Sequence, residues 1–211
     1  MSSTVNKTYS RLLDYGNAYP VPDYRVQMVS ISDFLRPYQC SRMIELINQA
    51  LRPSTIADSN GDPDFRTSRT ADLSSLNPDV RLVNTLLDEA LGIDEWYGEP
   101  LQGQRYDVGQ EFKAHTDYFD PDSRNFAHYT EGVGNRTWTA MIYLNEPIAG
   151  GSTHFDNIDM TLRPETGRLV AWNNLTLDGQ PNPATVHHGM RVRSGVKYIL
   201  TKWYRERSHG P

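Results

Sequence analysis

A chain of 211 residues is long enough to bury a sizeable core and short enough to do so as one domain. Lys plus Arg total 21 against 26 Asp plus Glu, a net charge of -5, which argues against a generic binder of nucleic-acid backbone. Cys40 is the only cysteine, which excludes an intramolecular disulfide framework and fits a reducing compartment.

The opening stretch "MSSTVNKTYSRLLDYGNAYPVPDY" lacks the apolar run of a secretory signal, and no later run reaches the length of a membrane span. The chain therefore reads as cytoplasmic, with neither a membrane nor nucleic acid as partner. Nothing in the pattern fixes an oligomeric state. Residues 1–25 are polar, rich in Tyr and Pro and without clear period. They are expected to form an arm over the surface of a single domain spanning 26–211.

From Ser32 the pattern changes. Cys40, Met43, Ile44, Ile47, Ala50 and Leu51 recur at helical spacing, with Pro37 acceptable in the first turn and "RPS" as the stop. A polar loop, "STIADSNGDPDF", leads to "RTSRTADL". A second helix is then punctuated by Asn77 as N-cap, Pro78 at the first helical position and Gly92 past the end, with Val80, Val83, Leu87 and Ala90 as its buried stripe.

After Gly92 the character becomes β. Short runs rich in Val, Ile, Tyr, Trp and Thr predict strands near 101–107, 111–117, 138–144, 168–173, 184–188 and 196–204. The insert "DPDSRNFAHYTEGVGNR" is too long for a hairpin turn and is a candidate lid. Helical support over about 32–92, followed by a β core over about 100–207, predicts an α+β fold with helices on one face of a sandwich or barrel.

The stretch "KAHTDYF" carries the chemistry. In an extended strand His115 and Asp117, two apart, point the same way, so an imidazole and a carboxylate converge. A third ligand should come from "ATVHHGMRVRSGVKYILTKWY". Adjacent histidines on a strand face opposite ways, so only one of His187 and His188 can share the pocket. Two imidazoles and one carboxylate form a facial triad that leaves three positions open, as non-haem Fe(II) oxygenases require, whereas zinc hydrolases keep fewer. Two open positions can take a bidentate 2-oxo acid and the third dioxygen, and Lys197 can meet the far carboxylate.

With these residues in place, the catalytic half resembles the prolyl 4-hydroxylase family of Fe(II)- and 2-oxoglutarate-dependent dioxygenases. The matching stretches are "LQGQRYDVGQEFKAHTDYF", "GNRTWTAMIYLNEPIAGGSTHF", "LRPETGRLVAWNN" and "ATVHHGMRVRSGVKYILTKWYRER", with "RTS" at Arg66 to Ser68 as a weaker upstream match. The resemblance implies a double-stranded β-helix (jelly-roll) core. It implies His115, Asp117 and His187 as iron ligands, the last because the lysine ten residues on falls at Lys197. Tyr106 matches a residue that hydrogen-bonds 2-oxoglutarate, and Thr153 and Trp203 match positions lining the same pocket. Arg136, with Phe112 and Arg66, stands where relatives meet substrate.

The implied reaction hydroxylates an unactivated C–H, first choice the 4-position of a peptidyl proline, with release of succinate and CO2 and with ascorbate as reductant. Asp117 favours hydroxylation, since similar halogenases leave that position to chloride. Two departures bear on substrate: His188, Gly189, Met190 and Arg191 replace the usual residues after the distal histidine, and Phe112 replaces a tyrosine. A free amino acid or other small metabolite is the alternative substrate, and a non-catalytic metal-binding module the alternative class. His128 and His154 are expected on the lid or surface.

Overall fold

In a computed structural model the described residues are 2–54, 62 and 64–210. The polar loop expected after the first predicted helix lies largely outside them. In chain order the first elements are α1 (Ser2–Leu13), β1 (Ala18–Pro20), β2 (Met28–Ile31), α2 (Pro37–Gln49), β3 (Arg52–Pro53), β4 (Arg69–Asp72) and α3 (Pro78–Leu91). Next come β5 (Gln102–Tyr106), β6 (Phe112–His115), α4 (Phe126–Thr130), β7 (Arg136–Tyr143), β8 (Ala149–Gly150) and β9 (Thr153–Phe155). The chain closes with β10 (Met160–Leu162), β11 (Leu169–Asn173), β12 (His187–Gly189), β13 (Val192–Ser194) and β14 (Lys197–Arg205).

Residues 1–25, expected as an irregular arm, carry α1 and β1 instead. Thr8 and Leu12, four apart, are buried on one face of α1, and Arg11 Nε donates to the Glu89 carbonyl near the end of α3. A stripe this short leaves almost no period to read in the sequence. The second predicted helix keeps its punctuation. The Asn77 side chain accepts from the Asp79 amide, and Gly92 closes α3 at φ 64, a left-handed value that only glycine takes without strain.

Two sheets make the jelly roll. The larger has eight strands in the order β1-β2-β11-β7-β14-β5-β4-β3, and the smaller has four in the order β10-β9-β12-β6. Neighbours are antiparallel throughout both. Strand alternation divides the apolar side chains between two cores. From β7, Trp138, Ala140 and Ile142 pack with Met43 and Ile47 of α2 and Val83 and Leu87 of α3. Met141 and Tyr143 point the other way and pack with Phe155 and Trp172 between the sheets. Strand β14 is covered on both faces, so it is an almost unbroken run of buried residues. Where α2 crosses β5, Gly103 is required: a Cβ there would lie 2.3 Å from Ile47 Cγ1.

The insert over 120–136 is tied at its base. Asn135 accepts from the Phe119 amide and donates to the Phe119 carbonyl, both at 2.8 Å, and Arg205 donates to the carbonyls of Tyr129 and Gly134. The predicted lid is therefore a loop with joined ends that carries a short helix, α4.

Candidate active site

Strand β6 ends at His115, and Asp117 sits in the bend just beyond it, two residues sooner than the strand predicted to end at 117. The convergence survives: His115 Nε2 lies 3.8 Å from Asp117 Oδ1. Strand β12 places His187 directly opposite His115 in the ladder, with ring centres 4.3 Å apart. One ligand atom from each of His115, Asp117 and His187 falls within 4.8 Å of the others.

Each imidazole is fixed by its other nitrogen. His115 Nδ1 lies 2.8 Å from the Lys113 carbonyl, and His187 Nδ1 lies 2.9 Å from the Thr185 carbonyl. A carbonyl only accepts, so Nδ1 carries the proton and the Nε2 lone pair is free for a metal. Burial, reinforced by neighbouring His187, pushes His115 down to about 3, which keeps its ring neutral and ready to ligate at neutral pH. For Asp117 burial alone would raise the carboxyl. His187, His115, Arg136 and the bond from Thr139 outweigh it and hold the group below its ordinary range. Two imidazoles with inward-facing Nε2 atoms and an ionised carboxylate are a donor set that fits a first-row divalent cation with open positions.

His188 takes the opposite face. Its Nδ1 is 2.8 Å from Asp156 Oδ1, and its ring neighbours that of His154 at 5.2 Å. His154, expected on the lid or surface, belongs to this outer cluster on the small sheet, and His128 lies on α4.

Lys197, 1% exposed, lines the same cavity as the triad. Its Nζ lies 5.1 Å from the centre of the Tyr106 ring and 5.5 Å from that of Tyr143. Among the described residues it has neither ion pair nor hydrogen bond, and burial pushes it down to about 7. A buried ammonium without a counter-charge fits an anion that enters from the cavity.

Of the other residues read from the sequence, Tyr106, Phe112, Thr153 and Trp203 line the same cavity. Tyr106 donates to Gln104 Oε1 at 2.8 Å, and Thr153 accepts from the Tyr143 hydroxyl at 2.7 Å. Phe112 stacks on His115 with ring centres 3.6 Å apart, and the Arg66 guanidinium lies 4.8 Å from the centre of the Phe112 ring. Arg136 is not in the lining. It forms a two-pronged pair with Glu99 at 2.7 and 2.8 Å and packs 4.0 Å from the Trp203 ring centre.

Sequence reasoning missed Gln104, Trp172 and Thr201 in the lining, and Thr139 behind Asp117. Alternation along β5, β7, β11 and β14 offered a way to find them: each lies an even number of residues from Tyr106, Tyr143, Val170 or Lys197, which face the cavity side.

A metal-ready donor set facing a buried, unanswered cation defines the class: a jelly-roll protein built to hold a divalent metal together with a small anion. The model of the 2OG-Fe(II) oxygenase superfamily matches residues 101–205, and the chain belongs to that superfamily. The human prolyl 4-hydroxylase subunit alpha-1 is 30% identical over 186 residues, covering 86% of this chain and 35% of the relative. Prolyl 4-hydroxylase 1 of Arabidopsis thaliana is 28% identical, covering 99% of this chain and 79% of the relative. The chain thus spans about a third of the animal relatives and most of the plant one.

Among solved structures, the viral collagen prolyl hydroxylase of Paramecium Bursaria Chlorella virus-1, in its 2OG complex, aligns with a TM-score of 0.68. It shares 24% identity and covers 84% of this chain and 95% of its own. The prolyl hydroxylase of Trichoplax adhaerens, bound to a hypoxia inducible factor peptide fragment, gives 0.65 at 13% identity, covering 97% of this chain and 90% of its own. The resemblance to prolyl 4-hydroxylases is borne out by these relatives, and the jelly-roll expectation by the shared fold.

Among the described residues, no helix is long and apolar enough to cross a membrane.

Proposed function

We propose that this chain is an Fe(II)- and 2-oxoglutarate-dependent dioxygenase that hydroxylates the 4-position of a prolyl residue in a peptide or protein. One observation carries the reading: the unpaired ammonium of Lys197 opens on the same cavity as the three metal-ready donors. The named prolyl hydroxylase relatives support the choice of proline.

In this reading His115, Asp117 and His187 hold the metal. Lys197 pairs with the far carboxylate of 2-oxoglutarate, while Tyr106, Thr153 and Trp203 wall the cosubstrate. Bound iron supplies activation of dioxygen, coupled to conversion of 2-oxoglutarate to succinate and CO2 and to hydroxylation of the substrate C–H. The chain's own part is orientation and exclusion. The Lys113 and Thr185 carbonyls keep the Nε2 lone pairs aimed inward. Phe112 covers His115 on one side, and Phe155 and Trp172 pack against His187, which keeps water from the donors.

Phe112 and Arg66 are the proposed substrate contacts. Arg136, committed to Glu99, supports Trp203 instead of meeting substrate. Residues 26–211 act as a single dioxygenase domain, with ascorbate as reductant. A reducing, cytoplasmic setting suits the lone Cys40, whose thiol burial pushes up to about 11.

The test begins anaerobically. Fe(II) and 2-oxoglutarate should give a weak visible charge-transfer band that fades in Lys197→Ala. Folded, iron-loaded protein without the band would count against the 2-oxoglutarate reading. Turnover of proline-containing peptides but not of free proline is the expected second result, and the reverse would move the substrate to a small metabolite.

A further inference from the structure

Thr139 lies within β7, in register with Trp172 on β11 and Trp203 on β14, so it stands between two indoles. It is fully buried. A valine would match its strand propensity and its volume in this slot, so the fold alone gives no reason for a hydroxyl here. The hydroxyl has two partners: Oγ1 lies 2.8 Å from Asp117 Oδ2 and 2.9 Å from Asn174 Nδ2.

The direction of this chain is determined by inventory. An ionised carboxylate only accepts, so the single hydroxyl proton goes to Asp117, and the Thr139 oxygen accepts from the Asn174 amide. Asn174 is itself fully buried, and among the described residues its Oδ1 has no partner. An amide kept there at a desolvation cost is explained by what its NH2 group holds in place.

We propose that Thr139 is a positioning residue for the metal centre, with Asn174 as its support. The inference rests on the reading that Asp117 is a metal ligand. Thr139 reserves Oδ2 for the protein and leaves Oδ1 facing His115 Nε2, so the carboxylate offers one oxygen. A facial set keeps three positions open only while its carboxylate gives a single oxygen. Without the hydroxyl, Asp117 is free to rotate and can offer both.

The experiment is a Mn(II) titration read by the paramagnetic resonance of free Mn(II), a measurement independent of turnover. Thr139→Val, close in shape but without the hydroxyl, should weaken Mn(II) binding about tenfold to a hundredfold. Thr139→Ser, which restores the hydroxyl, should recover most of the loss, and Asn174→Ala should fall between. Thermal melts of the metal-free variants identify any that fail to fold, and the serine and Asn174 variants then carry the comparison. Folded Thr139→Val with wild-type affinity would overturn the inference while leaving the metal site intact. A wild-type chain that binds no Mn(II), or binds it equally well as His115→Ala, would overturn the site and the inference together.

Discussion

Lys197 and Tyr106 stand directly opposite one another on β14 and β5, with the ammonium 5.1 Å from the centre of the phenol ring. Among the described residues two aromatic faces, Tyr106 and Tyr143, are all that answers the charge, and a ring quadrupole replaces only part of a lost hydration shell. The pairing keeps a cation in a place that disfavours it until an anion arrives. Lys197→Met should therefore remove 2-oxoglutarate binding and at the same time make the metal-free, cosubstrate-free protein more stable, by at least about 1 kcal/mol below neutral pH. Thermal melts near pH 6 give the second result, and the charge-transfer band the first. A destabilised variant would mean that Lys197 has a partner and is not waiting for one.

The same residue makes cosubstrate binding a proton-linked event. Lys197 is pushed from its ordinary 10.5 to about 7 by burial alone. Between these values the unfolded chain holds more protons than the folded one, so this group's contribution to stability increases as pH rises through that window. Binding of 2-oxoglutarate runs the other way, because it needs the ammonium. Its apparent affinity should fall by up to about tenfold per pH unit above 7, and near pH 8 binding should take up roughly one proton. Calorimetry in buffers of different ionisation enthalpy measures that number; zero uptake would remove Lys197 as the carboxylate partner.

The two adjacent histidines should separate cleanly. His187 is buried, faces His115 across the ladder and keeps its Nδ1 on the Thr185 carbonyl, whereas His188 turns to Asp156 on the outer face. His187→Ala should lose measurable Mn(II) binding. His188→Ala should keep it within about threefold, since outer-face substitutions away from the donors act weakly. Equal losses from both would show that the strand is not in the register described above.

What the sequence made legible was whatever two-residue or helical period and special chemistry write locally. Asn77, Pro78 and Gly92 mark α3 because capping and a left-handed turn demand particular residues. His115, Asp117 and Lys197 stand out because few residue types ligate metals or answer carboxylates. Alternation along β7 could place Thr139 on the cavity side, but its role with Asn174 was not legible: each is a common residue, and the pairing depends on β7 lying beside the end of β11, which joins two residues 35 positions apart in the chain. The short strands β8, β9 and β10 span two or three residues each, too few for alternation to register. The ion pair of Arg136 was not legible because its partner, Glu99, lies 37 positions away on a connecting segment.

That pair supplies the remaining prediction. Glu99 accepts both prongs of Arg136, and Arg205 Nε lies 2.6 Å from the same carboxylate. Burial alone would raise Glu99, but Arg136 and then Arg205 outweigh it and hold the carboxyl below its ordinary 4.5. The stability this confers is present above pH 4.5 and is lost as pH falls through the folded value. Glu99→Gln removes the charge and leaves two mostly buried guanidinium groups facing a neutral amide. Removing one partner of a buried pair costs about 3–5 kcal/mol, so denaturant unfolding at pH 7 should show a loss of that order and a flatter acid limb. Arg136 also donates to the Asp117 carbonyl at 3.3 Å and packs on Trp203, so the variant should bind both metal and cosubstrate less tightly. If Arg136 met substrate directly, Glu99→Gln would also raise the KM for peptide at saturating metal and cosubstrate, beside the loss of stability that the buried pair dictates in either case. The KM for peptide therefore decides between support and contact in this one variant.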